Sequence, residues 1–176
     1  MTEGMAVLHT AAVLVIAYLA GSFPTSIVVG KAFFHMDIRE HGSGNAGGTN
    51  AVRVFGWPAG IAVILTDIAK GIIAVVLVAG MWRESVLLPD DAMALCAGLA
   101  AVAGHIWTLF ASFRGGKGVA TAAGMLVALY PAGIGVTAVV FVAAIAATGI
   151  VSVGSMAAAV AFPAVVWSLH GTGFTE

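Results

Sequence analysis

Apolar runs long enough to cross a bilayer, nearly empty of charge, constrain this chain more than any other feature. A helix needs about 20 apolar residues to cross a hydrocarbon core of about 30 Å. Such runs cover residues 5–29, interrupted at Gly21-Ser22-Phe23-Pro24, then 58–81 and 92–110. The run 118–148 is broken at Tyr130-Pro131. Proline disfavours helix at the residue before it, which predicts a short fourth span and a fuller fifth. A sixth covers 152–169. The expected fold is all-α, a polytopic transmembrane helix bundle of about six spans.

Composition agrees. Charged residues make up 9% of the 176, the hydrophobic share is 61%, and mean hydropathy is +1.08. Soluble domains carry roughly 25% charged residues, so a soluble globular protein is excluded. A net charge of −1 leaves no basic surface to neutralise phosphates, which excludes a nucleic-acid partner. The single cysteine, Cys96, permits neither a disulfide framework nor a zinc ribbon. No Lys or Arg precedes the first span in this sequence, so a membrane span rather than a signal peptide is expected there.

Charge placement orients the spans. Lys31, Arg39 and Arg53 lie between the first two, and Arg114 and Lys117 between the third and fourth. Arg83 stands alone against Glu84, Asp90 and Asp91 between the second and third. The positive-inside rule then places the basic loops in the cytoplasm and the N-terminus outside. The 148–152 connection, with Ser152 and Ser155 following, joins them on the cytoplasmic face.

The first loop reads His41-Gly42-Ser43-Gly44-Asn45-Ala46-Gly47-Gly48-Thr49-Asn50, with Arg53 behind it. Glycines let consecutive N–H groups form an anion-binding concavity. Ser43, Asn45, Thr49 and Asn50 add short donors, and Arg53 offers a two-pronged partner for phosphate. A flexible connector would need neither both asparagines nor the arginine, so a phosphate cradle over Ser43, Gly44, Asn45, Gly47, Thr49, Asn50 and Arg53 is expected. In the second loop, Arg114-Gly115-Gly116-Lys117-Gly118, Gly115 and Gly116 offer N–H groups and Lys117 a point charge at a helix start, which suits an anion. A lysine snorkelling from a span end is the alternative.

Two motifs mislead. Gly42-x-Gly44-x-x-Gly47 matches a dinucleotide fingerprint, but that motif has meaning only between a strand and a helix. The second loop lacks both the upstream glycine and the Ser/Thr of a nucleotide P-loop, with Ala111 and Gly118 in those places. No metal-ligand spacing links His35, Asp37, Glu40 and His41, so a solvated loop is expected there, with no metal and no cofactor.

Inside the spans, Asp67 and Lys70 share a helix face at i and i+3, as a structural ion pair or as support for a site. His105, near the end of the third span, is a functional candidate by its depth, with a packing hydrogen bond as the alternative. Trp107 reads as an interfacial anchor.

The motif Ser43 to Asn50 with Arg53, then Asp67-x-x-Lys70-Gly71, then Gly104-His105 and Phe113-Arg114-Gly115-Gly116-Lys117-Gly118-Val119-Ala120-Thr121 resembles the bacterial acyl-phosphate:glycerol-3-phosphate acyltransferase family over nearly the whole chain. The resemblance implies a single acyltransferase domain over residues 1–176 in a bacterial inner membrane, with its active site facing the cytoplasm. It implies acyl transfer from acyl phosphate to glycerol 3-phosphate, giving lysophosphatidic acid and phosphate, in the first acylation of phospholipid biosynthesis. An enzyme making acyl phosphate is then a functional partner, and acyl-CoA is not the donor. Ser43, Arg53 and Lys117 match functional positions of the family, and Ser155, with Ser152 as the second choice, matches a functional serine before the sixth span. Ser43, His105 and Ser155 are the catalytic candidates.

The family usually continues into a seventh span with a cytoplasmic His/Asn motif, which has no counterpart after Leu169, and His170 is not given that role. A C-terminally truncated chain or a shortened homologue is expected, and an inactive truncated homologue is one alternative. The other is a small transporter or channel for an anionic solute, which the lack of repeated halves disfavours. An acyl phosphate is already activated, so the site mainly positions two substrates and stabilises charge. The proton acceptor is His105 or a substrate phosphate oxygen. The His-x₄-Asp pattern of soluble-type glycerolipid acyltransferases is missing.

Overall fold

The computed structural model describes residues 2–170, apart from the side chains of Ser85, Val151, Ser152 and His170, and these residues form helices and no strand. The all-α expectation is met. The stretch 171–176 and the His170 side chain, on which the missing motif turns, lie outside the described residues. The chain divides into two compact units, one ending at Leu129 and one beginning at Tyr130.

The first unit opens with α1 (Glu3–Ser22) and α2 (Thr25–Phe33). Pro24 separates them because it has no N–H and pushes Phe23 out of helical geometry. After the first loop come α3 (Gly48–Phe55) and α4 (Trp57–Ile73), the latter continuing through a wider helical turn at Ala74–Val78. Then follow α5 (Asp90–Ile106), a short turn of helix at Leu109–Ala111, and α6 (Val119–Leu129). The second unit pairs α7 (Pro131–Thr148) with α8 (Val151–His170), and Pro131 starts α7 where its missing N–H has no cost.

Among the described residues, four helical stretches are long and apolar enough to cross a membrane: Glu3–Phe33, Trp57–Val78, Asp90–Ala111 and Pro131–Thr148. The short fourth span of the sequence reading is only 11 residues, about 16 Å of helix, half of a hydrocarbon core. The described apolar part of the sixth, Val153–Leu169, is also shorter than a full crossing.

Small residues hold the first unit together, as expected where lipid removes the hydrophobic drive between helices. Val13, Ala17, Ala97 and Ala101 are fully buried between α1 and α5. The two helices run in the same direction. The Leu87 N–H donates to the Thr10 hydroxyl at 2.9 Å near one end, and the Thr108 hydroxyl donates to the Ser22 carbonyl at the other. Between α4 and α6 the backbones nearly touch: a Cβ on Gly124 would lie 1.9 Å from the Ile68 carbonyl oxygen, and one on Gly71 2.1 Å from that of Thr121. This contact brings α6, despite its shortness, beside the polar face of α4.

Helix α3 replaces an expected loop, because the run Gly47-Gly48-Thr49-Asn50 carries loop residues into its first turn. It forms because Ala51 and Phe55 bury one side against Ile27, Ile38, Val63 and Ala111, while Thr49 and Arg53 stay outside.

Candidate functional site

Asn50 organises the first loop. It is 2% exposed, and its side-chain amide donates to the carbonyls of Ile38 (3.3 Å), His41 (3.0 Å) and Asn45 (3.1 Å) while its oxygen accepts the Ser43 N–H at 2.9 Å. With its polar atoms so engaged, Asn50 is a staple rather than the phosphate ligand expected from its place in the motif. Gly42 and Gly44 take φ of +62° and +70° to turn the chain around it. The Gly44 N–H donates to the His41 carbonyl at 3.1 Å and the Gly47 N–H to that of Asn45 at 3.0 Å, so neither is a donor to an anion. Asn50→Ala is expected to lower stability by about 1–3 kcal/mol, the cost of leaving buried polar groups unpaired. A thermal unfolding midpoint equal to wild type in the same detergent would count against the staple.

The second loop folds back on α5. The Gly115 N–H donates to the Ile106 carbonyl at 3.0 Å and the Gly116 N–H to the His105 carbonyl at 3.1 Å. These glycines therefore close the end of α5 instead of cradling phosphate, which corrects that part of the expectation. They are glycines because of contact: a Cβ on Gly116 would sit 2.2 Å from His105 Nε2, and one on Gly115 2.0 Å from the His105 carbonyl oxygen. His105 is thereby packed in place, 7% exposed.

Between the two loops lies a cavity of about 380 Å³. The first loop lines it with Asn45, Gly47, Gly48 and Thr49, α4 with Ile64, Asp67 and Ile68, and α5 with His105. Lys117, Gly118, Val119, Ala120 and Ala123 complete the lining. Two helices begin at its wall, α3 at Gly48 and α6 at Val119. The first N–H groups of an α-helix have no partner inside the helix, and they carry the positive end of its dipole. Lys117 adds a full positive charge beside them.

Asp67 and Lys70 anchor the floor. They are 2% and 5% exposed, and Lys70 Nζ meets Asp67 Oδ1 at 2.6 Å. Lys70 also donates to the Phe23 carbonyl at 2.5 Å, a group left without a helical partner by the break before Pro24. The Thr25 hydroxyl donates to Asp67 Oδ1 at 3.1 Å, and His105 Nδ1 lies 3.7 Å from the same oxygen. The pair is both structural and part of the site: Lys70 closes the break in the first span, and Asp67 faces the cavity beside His105.

The structure thus brings together Asn45, Gly47, Thr49, Asp67, His105 and Lys117. Ser43 and Arg53 are exposed and do not line the cavity, although Arg53 follows Thr49 by one turn on the same side of α3. Ser155 is exposed on α8 of the second unit, and the Ser152 side chain lies outside the described residues. Among residues not singled out as site candidates, Arg39 binds Asp37 and the Ala111 carbonyl, so this stretch is more than a solvated loop. Its hydrogen bonds, joined by its charge and that of Lys31 and opposed by burial, hold the Asp37 carboxyl at about 2. No spacing rule ties residue 39 to residue 111, so no signal in the sequence pointed to that contact.

A family model for glycerol-3-phosphate acyltransferase matches residues 11–175. The chain is 53% identical to the glycerol-3-phosphate acyltransferase of Chlorobaculum tepidum over 160 residues, 88% of this chain and 69% of the relative. It is 48% identical to that of Chlorobium luteolum over 160 residues, covering 88% and 68%. The crystal structure of PlsY (YgiH), an integral membrane glycerol 3-phosphate acyltransferase in its glycerol 3-phosphate form, is similar with a TM-score of 0.71 and 30% identity, over 91% of this chain and 77% of that one. The lysophosphatidic acid form gives 0.68 and 29%, over 93% and 77%. With motifs, helices and relatives in agreement, the chain belongs to the glycerol-3-phosphate acyltransferase family and is an integral membrane acyltransferase.

Proposed function

We propose that this protein transfers an acyl group from acyl phosphate to glycerol 3-phosphate, giving lysophosphatidic acid and phosphate. Residues 1–176 serve as one acyltransferase domain, at the cytoplasmic face of a bacterial inner membrane. The observation that carries the reading is the meeting of two helix N-termini and Lys117 on one cavity, an arrangement suited to phosphate. The forms in which PlsY was crystallised, with glycerol 3-phosphate and with lysophosphatidic acid, support the substrate and product. Family membership displaces the transporter alternative.

In this reading a glycerol 3-phosphate hydroxyl attacks the acyl carbon, the bond from that carbon to the phosphate oxygen breaks, and phosphate leaves. Lys117 and the helix N-termini stabilise phosphate charge as it develops. Side chains on a helix lean toward its N-terminus, so Arg53 is placed to swing toward a phosphate seated at the start of α3. His105 or a phosphate oxygen takes the hydroxyl proton, and by resemblance Ser43 and Ser155 match functional positions of the family. An enzyme making acyl phosphate supplies the donor.

The test is product formation by the purified chain from labelled glycerol 3-phosphate, with acyl phosphate and acyl-CoA as parallel donors. Lysophosphatidic acid from acyl phosphate alone is expected. Product from acyl-CoA alone would overturn the donor, and no product from either would overturn the activity.

A further inference from the structure

Arg39 does not line the cavity, yet it joins the two loops that do. Its Nε and Nη2 donate to Asp37 Oδ1 and Oδ2 at 3.0 and 2.7 Å, the two-pronged geometry that fixes a guanidinium plane. Its Nη1 donates to the Ala111 carbonyl at 3.0 Å, 72 residues along the chain. Asp37 Oδ1 also accepts the Arg39 N–H at 3.0 Å, so the turn closes on itself. Between them Ile38 is fully buried, and its carbonyl accepts from Asn50, the staple of the first loop. The Asp37–Arg39 turn is therefore built into the first loop at one end and tied to the second at the other.

What it grips in the second loop is strained. Ser112 and Phe113, directly after Ala111, have φ of +56° and +58°. Adjacent non-glycine residues in the left-handed region persist only where their surroundings hold them. Local bonds supply part of this: the Phe113 N–H donates to Thr108 at 2.9 Å and the Arg114 N–H to Ala111 at 3.2 Å. The Arg39 bond reaches the same Ala111 carbonyl from another segment. Lys117 follows on this loop.

An exposed ion pair would contribute little. This one keeps only 24% and 15% of its side chains exposed and has a third partner. We propose that Asp37 and Arg39 are positioning residues, a clasp that holds the strained Ser112-Phe113 turn and so sets Lys117 opposite the N-terminus of α3. The inference rests on reading the cavity as the glycerol 3-phosphate site.

The experiment compares steady-state kinetics of purified variants. Arg39→Ala is expected to raise KM for glycerol 3-phosphate about tenfold, the loss of one hydrogen bond to a charged group, with kcat close to wild type. Arg39→Lys should not restore it, because an ammonium lacks the fork. Ser112→Gly, near wild type alone, should return most of the affinity in the Arg39→Ala background, since glycine takes positive φ without strain. Asp37→Asn keeps Arg39 but frees its guanidinium, and should show a smaller rise of the same kind. It carries the test if Arg39→Ala does not accumulate.

A KM rise reversed by Ser112→Gly is the result that a merely structural role would not produce. An unchanged KM in the clasp variants, or a rise that Ser112→Gly leaves in place, would overturn the clasp. Lys117→Ala is measured alongside. An unchanged KM there would overturn the cavity reading and the clasp with it, whereas a raised KM there beside an unchanged one in Arg39→Ala would overturn the clasp alone.

Discussion

Lys117→Ala is expected to lower kcat/KM for glycerol 3-phosphate by about 10²–10³-fold, the usual cost of removing one preorganised charge-stabilising group. Among the described residues lining the cavity, Lys117 is the one lysine or arginine. The N–H groups at the start of α6 bring a partial charge only. Without the ammonium, a dianionic phosphate would rest on helix dipoles, small polar side chains and Arg53 reaching in from outside the lining. Lys117→Arg should recover part of the loss, because the charge remains while its position changes. A kinetic profile for Lys117→Ala close to that of wild type would remove the cavity from consideration as a phosphate site.

The second large effect falls on stability. Asp67→Ala should destabilise the protein by about 3–5 kcal/mol, as expected when one partner of a buried ion pair is removed and the other charge is left in place. Lys70 is 5% exposed, and its remaining contacts are the Phe23 carbonyl and, 5.8 Å away, the face of the Phe23 ring. Neither neutralises an ammonium. Replacing both partners, Asp67→Ala with Lys70→Met, should recover much of the stability, since no unpaired charge then remains. Activity should not return with it: the double variant loses the carboxylate beside His105 and the tie from α4 to the break in the first span. Thermal unfolding in detergent and kcat, measured on all three proteins, separate these effects. If the double variant were no more stable than Asp67→Ala, an unpaired lysine would not be the cause.

Both predictions concern residues that can be picked out of the sequence by their chemistry. A lysine between glycines at a helix start, a carboxylate three residues before a lysine inside a span, and a histidine near a span end each have few ordinary explanations. The same reasoning misassigned neighbouring residues of equal prominence. Asn50 stands in a Gly/Ser/Asn/Thr motif that looks like a cradle throughout. Its amide is instead surrounded by the carbonyls of Ile38, His41 and Asn45. Gly115 and Gly116 read as anion donors in the sequence, and their N–H groups meet the end of α5. A motif shows which groups can donate a hydrogen bond; it does not show which acceptor reaches them first.

The class of molecule is written in the residue types alone. Scarcity of charge and the length of the apolar runs require helices in a membrane, because backbone groups in lipid must find partners within their own helix. Proline positions set the breaks at Phe23-Pro24 and Tyr130-Pro131, a local steric effect that needs no tertiary context. The motifs pointed to the family. Tertiary structure alone decided how the site is made: that α3 exists, that two helix N-termini face one cavity, and that Arg39 reaches Ala111. Each depends on groups far apart in sequence coming into contact, and that follows from how the helices of the first unit pack.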